Sequence, residues 1–166
     1  TFLTIEDCLN VGKIDTVYDV CVGAVVGRHP SGPVLTLKHT YATSESYQHP
    51  TNGFMGVGNN SATWNGDVIE YKEADIIGFL AYQWTTLDFD NYWAVQTKGT
   101  PVLKQFASSI PSLAGKKKMV DISWYKEDAK VMTIQTMEQL YGFSIMSACD
   151  KFEGKTVKLG KDIIIN

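Results

Sequence analysis

Cysteine is scarce in this chain of 166 residues: three in all, Cys8, Cys21 and Cys149, far apart and with no CxxC among them. An odd, dispersed set argues against a disulfide framework or a zinc site and fits a reducing compartment, cytosol or nucleus. Cys21 lies in an apolar segment and reads as a small buried side chain. No apolar run approaches the roughly 18 residues that a membrane span needs. The opening TFLTIEDCLN has neither the basic start nor the apolar block of a signal peptide, and Thr1 in first place suggests an excised piece of a longer protein. Positive charge is also short. The net charge is −3; residues 1–110 hold six basic groups against eleven acidic ones, a balance of −5, and the remainder nine lysines against seven acids, +2. Strong nonspecific binding to duplex phosphates needs many cationic contacts and is disfavoured. A reader of single strands that works by stacking and base contacts is not excluded.

Catalytic signatures are missing too. There is no GxSxG, no P-loop, no dinucleotide fingerprint and no defensible Cys–His pairing, so an enzyme is disfavoured. His29, His39 and His49 recur every ten residues, unlike the short spacings of metal ligands, and no metal or cofactor is expected. Asp88 and Asp90 could be a carboxylate pair, but two acids in a polar loop are usually turn formers.

What is present is aromatic side chains and strand patterning. Thr4 to Leu9 reads as a short turn or helix with Thr4 as a cap. Thr16 to Gly27 alternates apolar and polar residues as a half-buried strand does, with Gly23 allowing the coiling of a small barrel. Arg28 to Pro33 is a turn. Val34 to Thr40 forms a second strand with Leu35 and Leu37 on one face. Residues 42–60 are polar, with at most a short third strand near Phe54 to Val57. Val68 to Trp84 is read as strand four, bulged at Gly78, and Tyr92 to Thr97 as strand five. Further on, Met119 to Tyr125 is compatible with a strand, and Glu127 to Gln139 carries apolar residues at helical spacing. The Lys116–Lys118 run reads as a solvated basic patch.

Five strands, a glycine in the first and a long hairpin between the last two describe an OB-fold, a five-stranded Greek-key barrel that commonly binds oligonucleotides or sugars. The order IEDCLNVGK, TVYDVCVGAVV, RHPSGP, LTLKHT, NGDVI and a terminal KGT resembles the telomere end-binding OB-folds of the protection-of-telomeres and ciliate end-binding proteins over residues 4–104. It departs from them at Lys38-His39-Thr40, where an acidic residue before a polar–Thr pair is usual. The fold expected is therefore mainly β, an OB-fold over 1–110 with a C-terminal α+β extension, 111–166, packed on the barrel. The resemblance implies a nuclear, chromosomal protein that binds G-rich telomeric single-stranded DNA, protects chromosome ends and associates with other telomere proteins, away from membranes.

Several residues are candidates for such contacts. Alternation in strand five puts Trp93 and Val95 inside and Tyr92, Gln96 and Lys98 outside, so that ring, amide and ammonium can stack a base, read its edge and neutralise a phosphate. Phe89 at the loop tip is a platform unless it folds back onto the barrel. Tyr82 and Trp84 should share one face of strand four. Lys38 and Tyr41 flank the end of strand two, and Arg28 sits in a turn that often faces the ligand. Each has an ordinary alternative as a solvated or core side chain. A protein-interaction or viral-type β-barrel without nucleic-acid binding, or a carbohydrate-binding barrel, are the competing functions.

Overall fold

The computed structural model describes residues 2–17, 20–28, 34–58 and 63–165. Strand β1 (Phe2–Asn10) is followed by β2 (Val34–Thr43), β3 (Gln48–His49), β4 (Gly53–Phe54), β5 (Trp64–Asn65) and β6 (Val68–Tyr71). Helix α1 (Phe79–Trp84) leads to β7 (Trp93–Ala94) and β8 (Val102–Leu103). The last third holds β9 (Val131–Ile134), α2 (Met137–Cys149) and β10 (Thr156–Leu159). The domain is β-rich with few helices, and its described strands do not close into a barrel.

β2 is the organising strand. β1 runs parallel along one edge of it, and β5 and β6 run parallel along the other. Parallel neighbours require crossovers, and their sheets are covered on both faces. Here two apolar cores do the covering. One gathers Ala24, Leu35, Leu37, Ala42, Tyr47, Val57 and Val68; the other gathers Tyr41, Ile76, Ala81, Leu87, Phe89, Trp93 and Val95.

A paired kink lets one strand serve both cores. In a regular strand, residues two apart share a face, yet Leu35 and Leu37 join the first core and Tyr41 the second. Between them His39 adopts a left-handed φ of 46°, and beside it Asp7 of β1 has φ 51°. The ladder runs through Glu6↔Lys38 and resumes at Cys8↔Thr40, passing over this pair. Each kink turns its strand over, so Ile5 packs on the first core and Leu9 on the second.

Several expected elements take another form. Thr4 to Leu9 is strand, not helix, because pairing with β2 satisfies its backbone. The described part of Thr16 to Gly27 has no strand beyond one bridge, Val26↔Val57; residues 18 and 19, and 29–33 of the following turn, lie outside the described residues. That segment is a packed crossover, so close to its neighbour that a Cβ at Gly23 would stand 2.4 Å from Gly58 N. The expected strand four stops at Tyr71. Gly78, at φ 61°, then starts α1, so Tyr82 and Trp84 lie on a helix. Short apolar runs do not distinguish helix from strand. Strand five shrinks to Trp93–Ala94, and 119–125 is turn and irregular chain. The helix expected over 127–139 begins only at Met137, where the Thr136 side chain accepts a hydrogen bond from Gln139 N; Val131–Ile134 pairs instead with β10.

Candidate functional site

Loop 85–91 and the β7–β8 hairpin form one continuous surface. Asp88 shapes the loop: its carboxylate accepts from Asp90 N at 3.1 Å and from Asn91 N at 2.9 Å. A further bond from the Asn91 amide leads the interactions that hold the Asp88 carboxyl below the ordinary carboxylate range. Asp88 thus serves as an acceptor that caps a turn. After this loop Trp93 and Val95 point inward while Tyr92 is 62% exposed. Lys104 N donates to Tyr92 O at 2.8 Å across the hairpin, and the Lys104 ammonium donates to Asp90 O at 2.6 Å. Phe106, two residues on, is 74% exposed. At the loop end of the hairpin, Gln96, Thr97, Lys98, Ser108 and Ser109 line an open hollow of about 350 Å³. Two rings therefore stand at one end of the hairpin, and an amide, hydroxyls and an ammonium at the other.

Of the residues singled out in the sequence, Gln96 and Lys98 line this hollow together, while exposed Tyr92 stands at the other end of the same hairpin. The others do not join them. Tyr41 is fully buried, its hydroxyl 2.6 Å from Thr86 Oγ1 and accepting from Thr86 N at 2.9 Å; burial pushes its pKa far up. Phe89 folds back into the second core, edge-on to Tyr82 at 5.6 Å, and offers no platform. Trp84, two residues after Tyr82 and so on a different side of the helix, packs edge-on against Tyr141 at 5.5 Å. Lys38 pairs with Glu127 at 3.2 Å. Arg28 is exposed, at the end of a described segment. Phe106 and Lys104 escaped the sequence reading, although a ring and a cation directly after KGT-Pro-Val-Leu were the available signal.

A second concavity, of about 340 Å³, lies between the paired kinks and loop 85–90. Asp7 Oδ1 and His39 Nδ1 are 3.2 Å apart in it. Trp93 Nε1 donates to Asp7 O at 3.0 Å, and His39 N donates to Cys149 Sγ at 3.4 Å, which pins the kink from both sides. Asp88, Asp90, Tyr82 and Lys118 complete the wall. The Lys118 ammonium sits 5.4 Å from the centre of the Tyr82 ring. Burial draws its pKa down, partly offset by Asp90 and Asp88.

A third hollow, of about 310 Å³, includes Lys38, Glu127, Tyr125, Asp150 and Lys155. The Tyr125 hydroxyl donates to Asp150 at 2.6 Å, and Lys155 pairs with the same carboxylate. Lys38 is thus matched by Glu127 and Lys155 by Asp150 within the protein. Among the described residues no group of three or more His, Cys, Asp or Glu is placed to hold a metal ion. Comparison with known protein families, curated proteins and solved structures finds no match to the chain.

Proposed function

We propose that this chain is a binding module for short single-stranded nucleic acid and that its contact surface is the β7–β8 hairpin with the turn after it. The observation that carries the reading is the 62% exposure of Tyr92 on the opposite side of the chain from buried Trp93. A flat ring held out by a rigid, buried neighbour is a preorganised stacking surface, and stacking tolerates an acidic overall charge. Phe106 offers a second ring, and Lys98, Gln96, Ser108 and Ser109 offer phosphate and base-edge partners. Gln96 lies four positions beyond Tyr92, about 13 Å of extended chain. A ligand using both ends would therefore span more than one nucleotide.

The OB-type barrel, with its telomeric G-strand preference and nuclear setting, is the finer form of this proposal and rests on the motif order alone. The parallel pairing of β1 with β2 weighs against it, and the hairpin surface does not depend on it. The reading involves no bond making or breaking.

Fluorescence anisotropy at low salt with labelled G-rich, C-rich and matching RNA oligomers tests the proposal. Tyr92→Ala and Phe106→Ala should each weaken binding by about 1–3 kcal/mol, the usual worth of one stacked base, with the fold intact. Parental affinity in both variants refutes the assigned surface. No binding of any oligomer at low salt refutes the function and favours a protein or glycan partner.

A further inference from the structure

We propose that residues 107–119 form a strap, latched by Lys118, which walls one side of the cleft at the Asp7–His39 pair and swings away when that latch releases. The strap has no helix or strand of its own. Its internal hydrogen bonds are few: Lys116 N to Leu113 O at 3.0 Å and Ala114 N to Ser112 Oγ at 3.2 Å. Most of its residues are exposed. Segments with few buried contacts and exposed backbone are the first to open locally. Leu113 packs against the second core, and beyond it a row of three cations fastens this segment to three separate partners. Lys116 lies 4.7 Å over the Phe79 ring, Lys117 pairs with Glu138 at 2.6 Å, and Lys118 lies over Tyr82.

Lys118 differs from the other two. It alone of the three lines the cleft, and its ammonium is drawn there by Asp88 and Asp90 as well as by the ring. A cation removed from water over an aromatic face is held more strongly than an exposed one. Phe79 and Tyr82 both belong to α1, so the strap is buttoned along a single short helix, with Lys117 reaching across to α2. Release at Lys118 would remove one wall of the cleft and should leave His39 more accessible; its side chain is 16% exposed with the strap in place. The proposal is independent of nucleic-acid binding and is tested without any oligonucleotide.

The test is the rate at which diethyl pyrocarbonate modifies His39, mapped by peptide mass spectrometry on the whole chain. His49 is the internal reference; it sits in the β3–β4 turn, where its Nδ1 accepts from Thr51 N at 3.1 Å. Lys118→Gln should raise the His39 rate about 5- to 30-fold, the factor matching a lost desolvated cation–π contact, and leave His49 unchanged. Lys118→Arg keeps cation and ring contact and should restore the parental rate. An unchanged His39 rate in folded Lys118→Gln overturns the proposal. Hydrogen exchange on the parent protein decides the matter if that variant does not fold. Amides of 107–119 should exchange well ahead of those of β2, and equal protection in the two segments also overturns the strap.

Discussion

Tyr41→Phe removes one oxygen from the middle of the second core, and its cost follows from two contacts. The hydroxyl accepts from Thr86 N at 2.9 Å and pairs with Thr86 Oγ1 at 2.6 Å, and neither residue has appreciable exposure. Phenylalanine fills the same space but leaves the Thr86 amide buried without a partner, which costs about 1–3 kcal/mol. Losing the hydroxyl pair adds about 1 kcal/mol. The variant should therefore be less stable by about 2–4 kcal/mol in urea unfolding, with an unchanged m-value. In a chain of this size that lowers Tm by about 4–16 °C. Thr86→Val is the informative companion, because the amide keeps its acceptor on Tyr41; it should cost only about 1 kcal/mol. The double variant should show a coupling of about 1 kcal/mol or more between the two sites. A Tyr41→Phe protein within about 0.5 kcal/mol of the parent, the usual range of harmless surface changes, would refute the placement of this hydroxyl and with it the second core as described.

Oligonucleotide affinity per folded molecule should be the same in Tyr41→Phe as in the parent, since the ring is sealed inside; anisotropy at a temperature where both are folded checks this. Gly142→Ala puts a Cβ about 2.2 Å from Asp121 O, a backbone atom that cannot swing aside. It should destabilise by about 1–3 kcal/mol in the same urea assay, as overpacking does. The Glu138 carboxyl, bonded to Lys117, has its pKa lowered from 4.5 to about 2. A depressed carboxylate pKa favours the folded state above the ordinary value, and that contribution fades as pH falls from 4.5 towards about 2. Any stability difference between Glu138→Gln and the parent should accordingly shrink over this window in acid titrations followed by fluorescence.

Local alternation was readable where a strand keeps one face buried. Leu35 and Leu37 inside β2 follow the period-two rule directly; after the loop Trp93 and Val95 are inside and Tyr92 outside, but Ala94, which alternation puts outside, is buried as well. The rule fails at His39, where a left-handed residue turns the strand over. Nothing in Leu-Lys-His-Thr-Tyr announces that turn, and a strand expected to end at Thr40 leaves Tyr41 flanking it as a candidate contact, whereas β2 runs on to Thr43. The segment around Val22 to Val26 alternates well but has no strand partner beyond one bridge, because parallel neighbours leave it the role of crossover. Gly-Phe-Leu-Ala-Tyr-Gln-Trp reads as strand by composition and folds as helix, since Gly78 breaks the extended chain. Gln96 and Lys98 do share a hollow at the loop of the hairpin, but Tyr92, expected to form one set with them, stands at its other end. The lysine strap was not legible, because its partners Phe79, Tyr82 and Glu138 lie more than twenty residues away in the chain or on another helix face.

The neighbouring kinks at Asp7 and His39 also decide how β1 and β2 may align. Parallel strands bond at even intervals, so sliding one past the other by two residues preserves every facing side chain and invites misalignment. Here such a slide would set each bend against straight backbone and separate the carboxylate from the imidazole. The bends thus work as a registration notch, and a deletion in one strand between residues 5 and 9 should lower stability in urea unfolding more than the same deletion matched by one between 37 and 41 in the other.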